Sequence, residues 1–130
     1  MDIELDHLLV PSHDRFAAAK QLAGLLGVPW SDHGVGPFCP VYVNDGLTLD
    51  FDQAEEEFPV QHYAFRVSAD DFDAILGRIR AAGIPYRGAP HGADDMQVGT
   101  WNGGRLVYWN VPDGHVWELL TVSYARRPQA

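Results

Sequence analysis

Two histidines and two carboxylates occupy matching places in the two halves of this sequence. His7 and His62 each lie in a segment of alternating apolar residues. Asp50 and Glu118 each follow the glycine of an Asp-Gly pair by four residues. Imidazole nitrogens and carboxylate oxygens are ligands that divalent transition metals prefer. If the fold brings these side chains together, they can form a metal site.

Three features recur in the same order and indicate an internal duplication. Such repeats fix an architecture more firmly than any single motif. The recurring features are His7 and His62, the segments LGVPW at 26–30 and AGIPY at 82–86, and the Asp-Gly pairs at 45–46 and 113–114 with their carboxylates. The chain is therefore predicted to contain two copies of one module.

Each half is predicted to fold as one strand, one helix and three further strands. Extended or alternating segments predict the strands, the last two of each half flanking an Asp-Gly hairpin turn. In the first half these segments are 3–10, 28–30, 38–43 and 47–52; in the second they start at residue 60 and continue at 96–101, 105–110 and 115–123. Apolar residues at helical spacing predict helices over 14–26, capped by Ser12 and ended by Gly27, and after Ser68, ended by Gly83.

The predicted fold class is α+β, with two tandem βαβββ modules forming a cupped mixed sheet and the helices on the outside. One helix per module can cover only one face of its sheet, so the other faces would line the cup. We predict a single domain over 1–130, with module one at 3–52, a linker at 53–59, module two at 60–124 and a loose tail at 125–130.

The composition of the chain excludes some classes of function. The 130 residues carry a net charge of −9, which argues against nucleic-acid binding because that requires a basic surface. No apolar run is long enough to span a membrane, and the N-terminus lacks the features of a signal peptide. The single Cys39 fits a reducing compartment. We therefore expect a cytoplasmic protein.

Equivalent positions of two related modules converge near the axis that relates them. His7, His62 and Glu118 are therefore predicted metal ligands, with Asp50 as a further candidate. Two histidines and one carboxylate leave coordination positions open, which suits iron, manganese, nickel or zinc. Arg66 shares the face of His62 and is the predicted contact for an anionic group of the substrate.

Each of these residues also has an ordinary structural interpretation. His7 could be a buried core histidine, and His62 could be a polar residue of a pocket beside Arg66. Glu118 could form an ion pair with Arg66 or Arg105, and Asp50 could face solvent, because polar residues are common on half-exposed sheets.

Several of these features together resemble the vicinal oxygen chelate superfamily. They are the paired βαβββ pattern, the Asp6-His7 strand start, the segment QHYAF at 61–65 and the segment PDGHVWE at 112–118. The resemblance covers residues 3–124. It implies that His7, His62 and Glu118 occupy the metal-ligand positions, and that Asp50 occupies a position where glyoxalase-like members carry a further carboxylate, usually Glu.

The resemblance leaves two functions open. In the first, a divalent metal binds vicinal oxygens of a small substrate in a glyoxalase-like or dioxygenase-like enzyme, with Glu118 or Asp50 as catalytic base. In the second, the protein binds a small aromatic or cationic compound without catalysis, as bleomycin-resistance proteins do. Trp101 and Trp109 are predicted substrate contacts, although large aromatics also pack in cores. The resemblance further implies a homodimer.

Overall fold

The computed structural model describes residues 1–127 and divides the chain into two compact units. The first unit is Met1–Pro59, and the second begins at Val60. The last three residues of the predicted tail, 128–130, lie outside the described residues. Each unit combines an α-helix with a mixed β-sheet, which confirms the predicted α+β class and the two tandem βαβββ modules.

The first unit contains a three-stranded sheet of order β1-β3-β2 and one helix. β1 pairs with β3 in parallel, and β2 pairs with β3 antiparallel across the hairpin turn at Asp45-Gly46. Trp30 adds an isolated bridge to Val41 of the neighbouring strand. In chain order the elements are β1 (His7–Ser12), α1 (Arg15–Leu26), β2 (Cys39–Asn44) and β3 (Leu47–Gln53).

The first strand starts and ends later than predicted. Alternation begins at Ile3, but β1 begins at His7, where pairing with Thr48 of β3 begins. Ile3 itself is largely exposed. The strand also continues through Pro11, which is tolerated because β1 is an edge strand of this sheet and a proline there removes no ladder hydrogen bond.

Helix α1 is closed at both ends by local chemistry. The Asp14 carboxylate accepts a hydrogen bond from the backbone N–H of Ala17 at 3.1 Å, so Asp14 is the N-cap. The predicted cap, Ser12, was wrong, because Ser12 is the last residue of β1 and its hydroxyl accepts from the N–H of Asp14. Gly27 ends the helix with φ 74°, a left-handed conformation that glycine adopts without steric cost.

The second unit contains a four-stranded sheet of order β4-β7-β6-β5 and one helix. β4 pairs with β7 in parallel, and the other neighbours are antiparallel. The segment between α2 and β5 pairs with β6 at one position, an isolated antiparallel bridge between Arg87 and Tyr108. In chain order the elements are β4 (His62–Arg66), α2 (Ala69–Ala81), β5 (Gly99–Trp101), β6 (Gly104–Asn110) and β7 (Val116–Leu120).

Helix α2 covers the second sheet with the apolar stripe that its sequence predicts. The Ser68 hydroxyl caps it by accepting from the N–H of Asp71. Arg105 of β6 lies over the Phe72 ring and forms an ion pair with Asp73 at 2.7 Å, which ties the start of the helix to the sheet. The buried stripe consists of Phe72, Ile75, Leu76 and Ile79.

The parallel strand pair has the same register in each of the two sheets. In the first unit His7 pairs with Thr48, two residues before Asp50. In the second unit His62 pairs with Val116, two residues before Glu118. The carboxylate of each unit therefore stands at the same position relative to the histidine of that unit. This relationship is what a duplicated module predicts.

Candidate functional site

Glu118 is the most enclosed acidic residue of the second unit. It lies in β7 between β4 and β6, and its side chain is 0% exposed. Its Oε1 atom lies 2.9 Å from His62 Nε2 and accepts a hydrogen bond of 2.6 Å from the Tyr124 hydroxyl. Its Oε2 atom is buried and has no hydrogen-bond partner among residues 1–127. A buried carboxylate oxygen in this condition needs a cation or a donor.

His62 is oriented so that Nε2 faces Glu118. Its Nδ1 lies 3.2 Å from the carbonyl oxygen of Val116, which can only accept, so Nδ1 carries the proton of this hydrogen bond. Nε2 then faces the Glu118 carboxylate. The backbone of β7 therefore sets the tautomer in which His62 offers Nε2 as a ligand.

Two tyrosines surround the Glu118 carboxylate. Tyr108 is the register partner of Glu118 on β6, and its ring stacks with His62 at a centroid distance of 6.0 Å. Burial raises the pKa of Tyr124, and hydrogen bonds to Glu118 and Tyr108 raise it further. Burial also raises the pKa of Tyr108. Tyr124 therefore remains protonated at neutral pH and donates to Glu118.

The donor set of the second unit fits a divalent metal. The 2.9 Å contact between His62 Nε2 and Glu118 Oε1 requires a shared proton, and a divalent cation can take the place of that proton. The unpartnered Oε2 atom of Glu118 supplies a second anionic donor next to it. Imidazole and carboxylate ligands together suit iron, manganese, nickel and zinc.

His7 in the first unit, like His62, has its Nδ1 atom next to an oxygen acceptor. Its Nδ1 lies 2.8 Å from the Asp6 carboxylate, which leaves Nε2 as the available ligand atom. The hydrogen bond to Asp6 raises the pKa of His7, and the charge of Asp50 contributes to the same shift. The imidazole is largely exposed, so within its unit His7 is not a buried core histidine.

Asp50 shares a cavity of about 370 Å³ with His7 in the first unit. Leu9, Phe38 and Tyr42 give this cavity an apolar wall. Asp50 is half-buried, whereas its counterpart Glu118 is fully buried beneath Tyr124. The two equivalent carboxylates therefore occupy different environments.

Within each unit, the structure brings together only part of the predicted ligand set. Among residues 1–127, neither unit by itself contains three His, Cys, Asp or Glu side chains grouped so that they could hold a metal. The second unit joins His62 to Glu118, and the first joins His7 to Asp50.

The predicted substrate contacts lie in distinct environments. Arg66 ends β4 and is exposed at the mouth of a cavity that His62 also lines. Trp101 is half-exposed on β5, where a ligand can reach it. Trp109 is fully buried in the core of the second unit, and its side chain offers no surface to a ligand in this conformation. Glu118 pairs with neither Arg66 nor Arg105 within the described residues.

Sequence reasoning missed both tyrosines. Tyr124 follows the last strand, where no periodicity constrains its direction, so no sequence signal pointed to it. Tyr108 could have been found, because β6 and β7 flank the Asp113-Gly114 turn and antiparallel pairing across that turn sets it opposite Glu118.

Comparison with known proteins shows strong similarity to two solved structures. "Oxidase ChaP-H2" is 42% identical, with 96% of this chain and 98% of that chain covered and a TM-score of 0.88. "Oxidase ChaP-H1" is 41% identical, with 95% and 99% covered and a TM-score of 0.87. A glyoxalase/dioxygenase from Nostoc punctiforme shares the fold at 21% identity, with 92% and 91% covered and a TM-score of 0.68.

No protein-family model and no curated protein matches the chain. The similarity in structure and sequence nevertheless defines its class, and the chain belongs to the vicinal oxygen chelate superfamily. The resemblance carried by residues 61–65 and 112–118 is thereby confirmed. Neither helix of the described residues is long and apolar enough to cross a membrane.

Proposed function

We propose that the protein is a metal-dependent enzyme of the oxidase or dioxygenase type, acting on a small organic substrate with two vicinal oxygens. The observation that supports this most directly is the fully buried Glu118, whose Oε2 atom has no hydrogen-bond partner among the described residues while Oε1 faces His62. The similarity to two proteins named as oxidases favours oxidation over a purely binding role.

His7, His62 and Glu118 are the proposed ligands. Both histidines have Nδ1 held by an oxygen acceptor and Nε2 left to bind a metal. An oxygen acceptor at Nδ1 fixes the tautomer of the imidazole and increases the basicity of the ligand nitrogen Nε2. When bound, the metal would act as a Lewis acid towards the vicinal oxygens, and a redox-active metal such as iron or manganese would also support their oxidation by dioxygen, which zinc would not.

The other polar groups would handle protons and position the substrate. Asp50 is the proposed catalytic base, because it is more accessible than Glu118 and lines the cavity beside His7. Glu118 is the second candidate for this role. Arg66 would hold a charged part of the substrate. Trp101 stays a proposed contact, and Trp109 is not carried into the proposal because it is buried.

A homodimer is part of the proposal. The superfamily resemblance supports dimerisation of a two-module chain. The cytoplasmic location expected from the single cysteine also belongs to the proposal.

Metal analysis of protein purified without an affinity tag tests the function. We expect one equivalent of iron, manganese, nickel or zinc per site, and reloading of chelator-treated protein. His62→Ala, Glu118→Gln and His7→Ala are each expected to lose that equivalent. His33→Ala is the matched control, because His33 is an exposed histidine outside both cavities.

Catechol provides a second readout of the open coordination positions. Added to the iron-loaded protein, it should produce a charge-transfer absorption band that the Glu118→Gln variant lacks. A protein that cannot be loaded with any of the four metals would overturn the proposed enzyme. Binding of aromatic compounds by such a metal-free protein would instead establish the non-catalytic alternative.

A further inference from the structure

A cavity of about 450 Å³ opens next to the His62–Glu118 pair in the second unit. Its wall includes His62 and Arg66 on the β4 side and residues 123–126 after β7. This volume lies in the range of sites that enclose small organic ligands. Because His62 belongs to the wall, a ligand in this cavity lies directly beside the proposed metal ligands.

The charge of this cavity is opposite to that of the protein. The chain has 9 basic and 18 acidic residues, with a net charge of −9. Two of the basic side chains, Arg66 and Arg126, line the cavity, whereas none of the acidic side chains in residues 1–127 does. Walls that carry one sign of charge concentrate ligands of the opposite sign.

Neither arginine of the cavity forms an ion pair within residues 1–127. Two other arginines of the same unit are paired, Arg87 with Asp94 at 3.0 Å and Arg105 with Asp73 at 2.7 Å. The guanidinium groups of Arg66 and Arg126 form no hydrogen bond or ion pair with a described residue. Their planar guanidinium groups therefore remain free to bind a carboxylate through paired N–H donors.

Ser123 adds a neutral donor to this wall. Its Oγ atom accepts a hydrogen bond from the backbone N–H of Ala125 at 3.1 Å, which fixes the side chain while its own O–H can be donated. The Tyr124 hydroxyl, by contrast, is committed to Glu118. The cavity thus offers three side-chain donors to a bound oxyanion.

We propose that the cavity binds the carboxylate of an organic acid, with Arg66 and Arg126 as its cationic contacts and Ser123 as a neutral donor. The assignment rests on the proposed function and specifies its substrate as a carboxylic acid. The carboxylate would be held away from the metal, so that the vicinal oxygens of the same molecule face His62 and Glu118.

Binding of 1-naphthoate and of its uncharged analogue 1-naphthamide, measured by calorimetry, tests this assignment. Both probes have nearly the same shape, so the difference between them isolates the charge. We expect 1-naphthoate to bind at least about tenfold more tightly, the difference that about 1.4 kcal/mol from a charge-assisted hydrogen bond provides. The measurement is made on both metal-loaded and chelator-treated protein.

Three variants locate the effect. Arg66→Gln and Arg126→Gln are each expected to remove most of the preference for 1-naphthoate. Arg127→Gln removes the same charge from the adjacent residue, which does not line the cavity, and is expected to keep the preference. Rising salt should weaken the binding of 1-naphthoate and leave that of 1-naphthamide unchanged.

Equal affinity for the two probes would overturn the assignment. An equal loss in the Arg127→Gln variant would overturn it too, because the effect would then come from net charge alone. Tighter binding of inorganic phosphate than of 1-naphthoate would overturn the carboxylate class. Failure to load metal would remove the proposed enzyme activity, but the preference for 1-naphthoate in chelator-treated protein would still support the anion-binding cavity.

Discussion

The Tyr124 hydroxyl donates a hydrogen bond of 2.6 Å to Glu118 Oε1, while Glu118 Oε2 remains buried without a partner in the described residues. This contact gives the two oxygens of one carboxylate different roles. Oε1 is held by the Tyr124 hydroxyl and faces His62, whereas Oε2 has no partner in residues 1–127. Tyr124 is therefore a positioning residue for the proposed metal ligand.

Replacing Tyr124 with Phe should weaken metal binding while preserving the fold. Removal of a hydrogen bond to a ligand typically lowers metal affinity by about 10- to 100-fold. Competition titration with a chromophoric chelator measures this change. The d–d spectrum of the cobalt-loaded protein should also change, because the carboxylate would be free to bind through both oxygens.

Tyr86→Phe is the matched control for this variant. It removes a hydroxyl from the same unit, one that accepts a hydrogen bond from Arg80 and lies outside the cavity of Arg66. Metal affinity in this control should equal that of the unchanged protein. If Tyr124→Phe also binds metal normally, the positioning role is wrong.

Asp50→Asn should separate catalysis from metal binding. Asp50 is half-buried beside His7, and its amide replacement keeps the shape of the side chain while removing its basicity. We expect a full equivalent of metal with a loss of turnover, measured on the same preparation by elemental analysis and by oxygen uptake with a substrate. Loss of the metal would instead make Asp50 a fourth ligand.

The Cys39 thiol should resist alkylation in the folded protein. Cys39 is 1% exposed, and burial raises the pKa of its thiol above the ordinary value of 9.0. At pH 8, iodoacetamide should modify the native protein far more slowly than the protein in denaturant. Equal rates in the two conditions would show that the thiol is accessible in the native state.

The same pKa shift predicts a pH dependence of stability. Because the folded state keeps the thiol protonated, its contribution is present below pH 9.0 and declines as the pH rises above that value. Between pH 8.5 and 10, the free energy of unfolding should therefore fall more in the unchanged protein than in Cys39→Ala. Parallel curves from denaturant titrations would contradict this.

Removal of the cap of α1 should destabilise the protein without changing its site. Asp14→Ala loses the hydrogen bond to the N–H of Ala17 and should cost about 1 kcal/mol, as N-cap substitutions generally do. Asp14→Asn retains an acceptor at the same place and should cost much less. Urea titrations of the three proteins measure the difference, and equal losses in both variants would rule out capping as the cause.

Local sequence patterns predicted the helices and most strands because they depend on periodicity and capping. The buried stripe of α2 and the Gly27 end of α1 follow directly from apolar spacing and glycine geometry. The limits of β1 could not be predicted, since they depend on where β3 offers partners between Leu47 and Gln53. The very short β5 likewise depends on pairing with β6 and has almost no pattern of its own.

The part of the candidate site that recurs in both halves of the sequence could be predicted. Comparison of the two halves identified His62 and Glu118, and the structure joins them at 2.9 Å. Tyr124 and Arg126 have no counterpart in a repeat comparison, because they follow the last strand of the second module. Their contacts depend on how the chain turns after β7, which neither alternation nor turn chemistry specifies.

The turn between β6 and β7 links the start of β7, which carries Glu118, to the start of β4, which carries His62. Gly114 has φ 93°, and a Cβ atom added there would lie 2.8 Å from the side chain of Val60, two residues before His62. A larger residue at 114 would therefore push on the approach to β4 while distorting the approach to β7. Through this one position, the spacing between His62 and Glu118 responds to a residue that touches neither of them.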